Sequence, residues 1–220
     1  LASLKCAANA PVDVALAGER ERFLRLAKSD EAAALRRVFF AERRAGQALK
    51  QADADPVDLS RVGVIGGGTM GAGIAYACLN AGLRVTLLET DADGVARAEA
   101  NVGKIVEASL KRGLISAAGA EERRARLAVT SDYAAAAGAG LAIEAAFESM
   151  EVKREVFGRL QAALAPDAVL ASNTSYLDLN EIARSVDDPS RVLGLHFFAP
   201  AHIMKLLEIV KGEATSDRAL

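Results

Sequence analysis

Two groups of residues in this chain have the types and spacing to do chemistry. The first is Gly66-Gly67-Gly68-Thr69-Met70-Gly71, placed directly after the apolar run Val62–Ile65, with Glu89 closing the next apolar run, Val85-Thr86-Leu87-Leu88. A strand that ends in so small a turn aims a helix N-terminus, with its free N–H groups, at a pyrophosphate. In that pattern Gly66 permits the turn, Gly68 lets the backbone approach the phosphates, and Gly71 lets the helix pack on the strand. A carboxylate at Glu89 accepts hydrogen bonds from the adenosine ribose hydroxyls and repels a 2′-phosphate. No arginine follows in Thr90-Asp91-Ala92-Asp93, so the pattern predicts NAD rather than NADP.

The second group sits at the ends of later apolar runs, where ligands bind in a doubly wound sheet. Asn173, Thr174 and Ser175 close the fifth run, His196 lies late in the sixth, and Glu208 stands on the segment that follows. With a turn centred near His202, positions 196 and 208 fall opposite each other. A carboxylate on one ring nitrogen then fixes the imidazole tautomer and stabilises imidazolium, while the other nitrogen is free to exchange a proton with an alcohol. That is what an alcohol dehydrogenase working without a metal requires. The alternative for a single histidine near a strand end is a satisfied structural residue.

These side chains need a frame, and the apolar pattern supplies one. From Arg61 onward the runs Val62–Ile65, Val85–Leu88, Leu127–Val129, Leu141–Ala146, Ala168–Ala171 and Val192–Phe198 alternate with helical patterns, which predicts βαβ units and a parallel sheet. Val95, Ala98, Val102, Val106 and Leu110 mark a long helix on that sheet, and Val152, Val156, Leu160 and Ala163 a second. Asp178 and Glu181 start a short helix. Lys205–Val210 follows the sixth run too closely for a crossover helix, so it returns antiparallel. The fold class expected is α/β: a Rossmann-like, doubly wound, mostly parallel sheet with an antiparallel strand near the C-terminus, preceded by a helical segment. That segment, about Gly18 to Ala48, reads as one or two amphipathic helices, the second capped at Ser29-Asp30-Glu31. The polar linker Gln51–Pro56 ends it.

Composition sets outer bounds. With 27 basic and 29 acidic residues interspersed to a net charge of −2, nothing points to nucleic acid or an anionic membrane surface. No apolar stretch reaches the roughly 20 residues of a membrane helix, and Leu1–Ala10 lacks a secretory layout, so a cytoplasmic protein is expected. Cys6 and Cys78 suit two reduced thiols, and no metal site is expected. A chain that opens on Leu1 and stops at Leu220 within a continuing pattern reads as part of something longer.

Taken in order, Gly66 to Ala75, Ala171-Ser172-Asn173-Thr174-Ser175, His196-Phe197-Phe198-Ala199-Pro200-Ala201-His202 and Leu207-Glu208-Ile209 resemble the L-3-hydroxyacyl-CoA dehydrogenase family over about Leu59 to Gly212. The stretch from Glu19 to Arg43 resembles the end of the enoyl-CoA hydratase part of bifunctional β-oxidation proteins. The resemblance implies three segments: 1–56, the helical tail of an upstream hydratase-like domain plus linker; 57–213, an NAD-binding Rossmann domain; and 214–220, the start of a further substrate domain. It implies oxidation of (3S)-3-hydroxyacyl-CoA to 3-oxoacyl-CoA, packing against hydratase-like and C-terminal domains, and a peroxisomal setting in a eukaryote. A homo-oligomer is compatible with it.

By the same resemblance His196 is the general base for the 3-hydroxyl proton and the acid in reverse, Glu208 its carboxylate partner, and Ser175 a hydrogen-bond partner of the reacting oxygen. Asn173 lies against the nicotinamide ribose, and Glu148 and Lys153 line the nicotinamide side. Thr69 and Met70 belong to the dinucleotide turn with the glycines. For Glu148 and Lys153 the alternatives are a helix cap and a solvated first-turn lysine. Two departures stand out: Ala199 replaces an asparagine common in the family, and a helical domain that completes the acyl pocket is absent from these residues. The fragment is therefore expected to bind NAD with little turnover. Lys104, Lys111 and Arg112 are candidates for coenzyme A phosphates but fit equally well as the solvated face of the long helix.

Rival readings are a 3-hydroxyacid dehydrogenase, which relies on a catalytic lysine in a later helix, and a non-catalytic module keeping only the nucleotide fold. A short-chain dehydrogenase is excluded, since none of Tyr76, Tyr133 and Tyr176 has lysine four residues on.

Overall fold

The apolar runs form β1 (Arg61–Ile65), β2 (Arg84–Leu88), β3 (Leu127–Thr130), β4 (Leu141–Glu144), β5 (Val169–Ser172), β6 (Val192–Phe197) and β7 (Leu207–Val210) of one sheet, in a computed structural model that describes residues 1–48 and 57–220. The strand order is β3-β2-β1-β4-β5-β6-β7, parallel from β3 through β6, with β7 antiparallel on β6. This is the doubly wound sheet that the alternating pattern predicts.

Alternation along each strand divides the core between the two faces, because successive side chains point to opposite sides of the pleat. Val62, Val64, Val85, Leu87, Ile143, Ala171 and Leu193 pack with Ile74 and Leu79 of α4 (Thr69–Asn80) and Val102 and Val106 of α5 (Ala92–Lys111). Ile65, Leu88, Ala142, Leu170 and Val192 face the other way, onto Phe157 and Leu160 of α7 (Met150–Ala163) and Ile182 of α8 (Leu179–Ala183). Burying each such large side chain contributes about 1.5–3 kcal/mol. Helix starts follow capping chemistry: Asp91 accepts the Gly94 N–H at 2.7 Å and Asp178 the Asn180 N–H at 2.8 Å. A further helix, α6 (Ala117–Ala125), has too few apolar positions to show a stripe, and only Ala120 is buried in it.

The chain divides into two compact units, Leu1–Ala52 and Asp53–Leu220. The first contains α1 (Ala2–Asn9), α2 (Val12–Ala27) and α3 (Asp30–Ala48), so the stretch from about Gly18 to Ala48 holds two helices, as its apolar spacing allows, and α1 lies ahead of it. Ser29 Oγ accepts the Ala32 N–H at 3.2 Å, the cap expected for α3, while Phe23, Leu35, Phe39 and Phe40 stay exposed. The linker placed at Gln51–Pro56 lies outside the described residues. In the second unit the closing segment, read from sequence as opening another domain, docks on this sheet. Thr215 Oγ1 donates to the Val192 carbonyl at 2.6 Å, Arg218 pairs with Asp167 at 3.0 Å, and Ala219 is buried with the core.

Among the described residues no helix is long and apolar enough to cross a membrane.

Candidate active site

The strand order reverses direction between β1 and β4, so their carboxyl ends open a crevice. The glycine turn forms one wall. Gly66 has φ +92°, and a Cβ there would stand 2.7 Å from the Ala145 carbonyl oxygen. A Cβ on Gly71 would fall 1.6 Å from the Gly66 carbonyl, so α4 starts directly against the turn only because Gly71 has no side chain. Above Gly68, the N-cap of α4, nothing lies within 4 Å of a built Cβ. A cradle that side chains would close, open at its mouth and edged by the unpaired amides of a helix N-terminus, fits a dinucleotide diphosphate. Thr69 is exposed there and Met70 half-buried.

Glu89 reaches back over the same turn. Its Oε1 accepts the Gly67 N–H at 2.6 Å and its Oε2 the Thr90 N–H at 3.2 Å, while Asn101 donates to the Gly67 carbonyl at 3.0 Å. The carboxylate expected to face a ribose therefore also braces the turn.

The opposite wall is built around a buried ionic group. Lys153, 1% exposed, holds Glu144 through both carboxylate oxygens at 2.8 and 2.9 Å and Glu148 at 2.8 Å. The solvated-lysine alternative is thereby excluded. Glu144 is 0% exposed and also accepts from Ser172 Oγ at 2.6 Å and the Ala146 N–H at 2.8 Å. Glu148 accepts from Thr174 Oγ1 at 2.5 Å and the Ser175 N–H at 2.9 Å, tying the end of β4 to the end of β5. Partial burial raises the Glu148 pKa, but hydrogen bonds from Lys153, Thr174 and the Ser175 backbone outweigh that and hold it below the usual carboxylate value.

Glu144 was not singled out from sequence. The signal was there: an acidic residue inside the apolar run Leu141–Ala146 of a central parallel strand, where a charge must be paired. Its partner stands in α7, and only the packing of that helix brings it across.

His196 and Glu208 are register partners across β6 and β7, and His196 Nδ1 lies 2.8 Å from Glu208 Oε2. The register follows from the connection being too short for anything but an antiparallel return, as the spacing predicts. The His196 side chain is 21% exposed and Glu208 52% exposed, so the imidazole is partly sheltered while its partner reaches solvent. The Phe198 ring lies 4.6 Å from the imidazole. Asn173 Oδ1 accepts the Phe197 N–H at 2.9 Å, and its own N–H donates to the Glu144 carbonyl at 2.8 Å. Asn173, Ser175, Glu148 and Lys153 thus form one hydrogen-bonded cluster reaching the residue beside His196.

The secondary candidates lie elsewhere. Lys104 and Arg112 line a cleft of about 340 Å³ with Tyr76, Ser109, His202 and Ile203. His202 packs edge-on against Tyr76 at 5.8 Å, and burial, with Arg112 nearby, lowers its pKa. Burial pushes the Cys78 thiol up to about 11, which keeps it protonated and unreactive.

A family model described as 3-hydroxyacyl-CoA dehydrogenase, NAD binding domain, matches residues 61–220. The human peroxisomal bifunctional enzyme is 39% identical over 225 residues, covering 99% of this chain and 31% of that protein. A 3-hydroxybutyryl-CoA dehydrogenase structure from Escherichia coli K12 superposes with a TM-score of 0.71 at 39% identity, covering 74% of this chain and 34% of that one. The dehydrogenase part of multifunctional enzyme 1 from C. elegans gives 0.70 at 31% identity, covering 77% and 39%. The chain thus spans about a third of the length of such relatives. It belongs to the 3-hydroxyacyl-CoA dehydrogenase family, and residues 61–220 are its NAD-binding domain.

Proposed function

We propose that this chain takes part in the NAD-dependent oxidation of (3S)-3-hydroxyacyl-CoA to 3-oxoacyl-CoA in fatty-acid β-oxidation, as the nucleotide-binding portion of a multifunctional protein. The observation that carries the reading is the 2.8 Å contact between His196 Nδ1 and Glu208 at the crevice end of β6. The carboxylate holds the ring with Nδ1–H toward Glu208, which leaves Nε2 to take the proton of a 3-hydroxyl group and return it in the reverse direction. Ser175 would hydrogen-bond the reacting oxygen, and Asn173 would lie beside the cofactor ribose and substrate. Gly66, Gly68, Thr69, Met70 and Gly71 would hold the NAD diphosphate, Glu89 the adenosine ribose, and Glu148 and Lys153 the nicotinamide side. When bound, NAD supplies the hydride acceptor.

The greater length of the relatives, among them a bifunctional enzyme, supports a setting in which residues 1–56 are the helical tail of a hydratase-like domain plus linker and the full protein carries a further substrate domain. A peroxisomal relative supports a peroxisomal location in a eukaryotic cell, with the cytoplasm the setting otherwise. Alone, the chain would bind NAD with little turnover.

The test is NADH formation from 3-hydroxybutyryl-CoA by the intact protein and its His196→Ala variant. Loss of the general base should lower the rate roughly a hundredfold to ten-thousandfold while NADH binding persists. An unchanged rate removes His196 from the mechanism.

A further inference from the structure

The buried ionic group at the ends of β4 and β5 has an unequal charge count. Lys153 is the cation, Glu144 and Glu148 are the anions, and they meet through contacts of 2.8–2.9 Å. Two carboxylates against one ammonium leave one negative charge uncompensated. The geometry decides where it resides. Glu144 chelates the ammonium with both oxygens and is fully enclosed, whereas Glu148 touches the ammonium with one oxygen and is 27% exposed. The excess negative charge is therefore presented at Glu148.

Glu148 lies on the path a dinucleotide must take. Its diphosphate belongs at the Gly66–Gly71 turn after β1, and its reactive ring must reach the proton acceptor His196 at the end of β6. Between them run β4 and β5, and Glu148 bridges their ends through Thr174 Oγ1 and the Ser175 N–H. The oxidised ring carries a positive charge and the reduced ring carries none. A fixed negative charge beside it therefore favours the oxidised form.

We propose that Glu144 is a positioning residue that neutralises Lys153, so that Glu148 keeps an uncompensated charge and the site binds NAD⁺ more favourably, relative to NADH, than a neutral site would. This rests on the assignment of Glu148 to the nicotinamide side. Without Glu144 the lysine has only Glu148 to pair with, and the pair presents no net charge. The bias is then lost although neither remaining charged group has changed.

The experiment is calorimetric titration of the full chain with NAD⁺ and, separately, NADH, in wild type, Glu144→Gln, Glu144→Asp and Glu148→Gln. Wild type binding neither nucleotide overturns the cofactor reading and this inference with it. If wild type binds both, Glu144→Gln should raise the Kd ratio of NAD⁺ to NADH about tenfold, while Glu144→Asp, which keeps the charge, retains the wild-type ratio. Equal weakening of both nucleotides in Glu144→Gln is what a merely structural role produces, and it overturns the proposal. Should Glu144→Gln fail to fold, Glu148→Gln decides: it removes the same charge at a partly exposed position, and an unchanged ratio there overturns the proposal as well.

Discussion

Asn173 Oδ1 accepts the Phe197 N–H at 2.9 Å, so one side chain at the end of β5 fixes the backbone beside His196 at the end of β6. The two strands pair only from Leu170↔Val192 to Ser172↔Gly194, and this bond carries the alignment past the last ladder position into the crevice. A residue read from sequence as a cofactor contact is therefore also a splint for the strand bearing the proposed base. Asn173→Ala should leave a part-buried N–H without its acceptor, at a cost of about 1–3 kcal/mol in urea unfolding. Asn173→Asp keeps an acceptor oxygen and should recover most of that loss. Equal stability of Asn173→Ala and wild type would show that the bond fixes nothing.

The glycine turn offers a steric test. A methyl group on Gly71 would overlap the Gly66 carbonyl at 1.6 Å, and the obstacle is backbone that cannot swing aside. Gly71→Ala should displace the start of α4, lower stability by more than about 1 kcal/mol and abolish NADH binding measured by fluorescence. Gly68→Ala meets nothing within 4 Å in the free protein, so its stability should stay near wild type. A Gly71→Ala protein with native affinity for NADH would mean that the cofactor does not use this turn.

Lys153 should be among the costliest single positions to change. It is 1% exposed, and among the described residues its ammonium is the only cation paired with Glu144, itself 0% exposed. Lys153→Met keeps the length of the side chain but strands a buried carboxylate, which should destabilise the chain by about 3–5 kcal/mol in denaturant unfolding. Replacing Arg154 next door, which pairs with Glu181 at 3.0 Å with both side chains well exposed, should cost under about 1 kcal/mol. Similar losses at the two positions would contradict the burial seen here.

Acid should find the same group. The Glu148 carboxyl is held below its ordinary pKa in the folded chain despite its partial burial, because Lys153, Thr174 and the Ser175 N–H favour the charged form. A depressed carboxylate contributes stability that is fully present above its unfolded pKa and is lost as pH falls through the folded one. Stability of wild type should therefore decline below the ordinary carboxylate range, and Glu148→Gln should flatten part of that decline. Identical pH profiles for the two proteins would remove Glu148 as a contributor.

Much of this architecture could be read in advance because the deciding forces are local or periodic. Val62–Ile65 followed by Gly66 through Gly71 specifies a strand, a tight turn and a helix start from residues that are neighbours in the chain. The alternation of apolar runs with helical stripes specifies a parallel sheet, and the short link after Phe198 obliges β7 to return antiparallel, which sets His196 against Glu208. Less was legible where the signal was weak. α1 and α6 bury almost nothing and so carry little periodicity, and the docking of Thr215 on β6 and of Ala219 in the core depends on residues distant in the chain.

By itself, the sequence determined the strands, the helices with a clear apolar stripe, the dinucleotide turn and the pairing of His196 with Glu208, because each depends on spacing along one stretch of chain. Only the tertiary structure decided that Lys153 is buried between Glu144 and Glu148, that Asn173 locks β6, and that Glu89 braces the glycine turn. Those relationships join side chains from different elements, and whether a charge is solvated or sealed against a partner depends on what packs over it rather than on its neighbours in sequence.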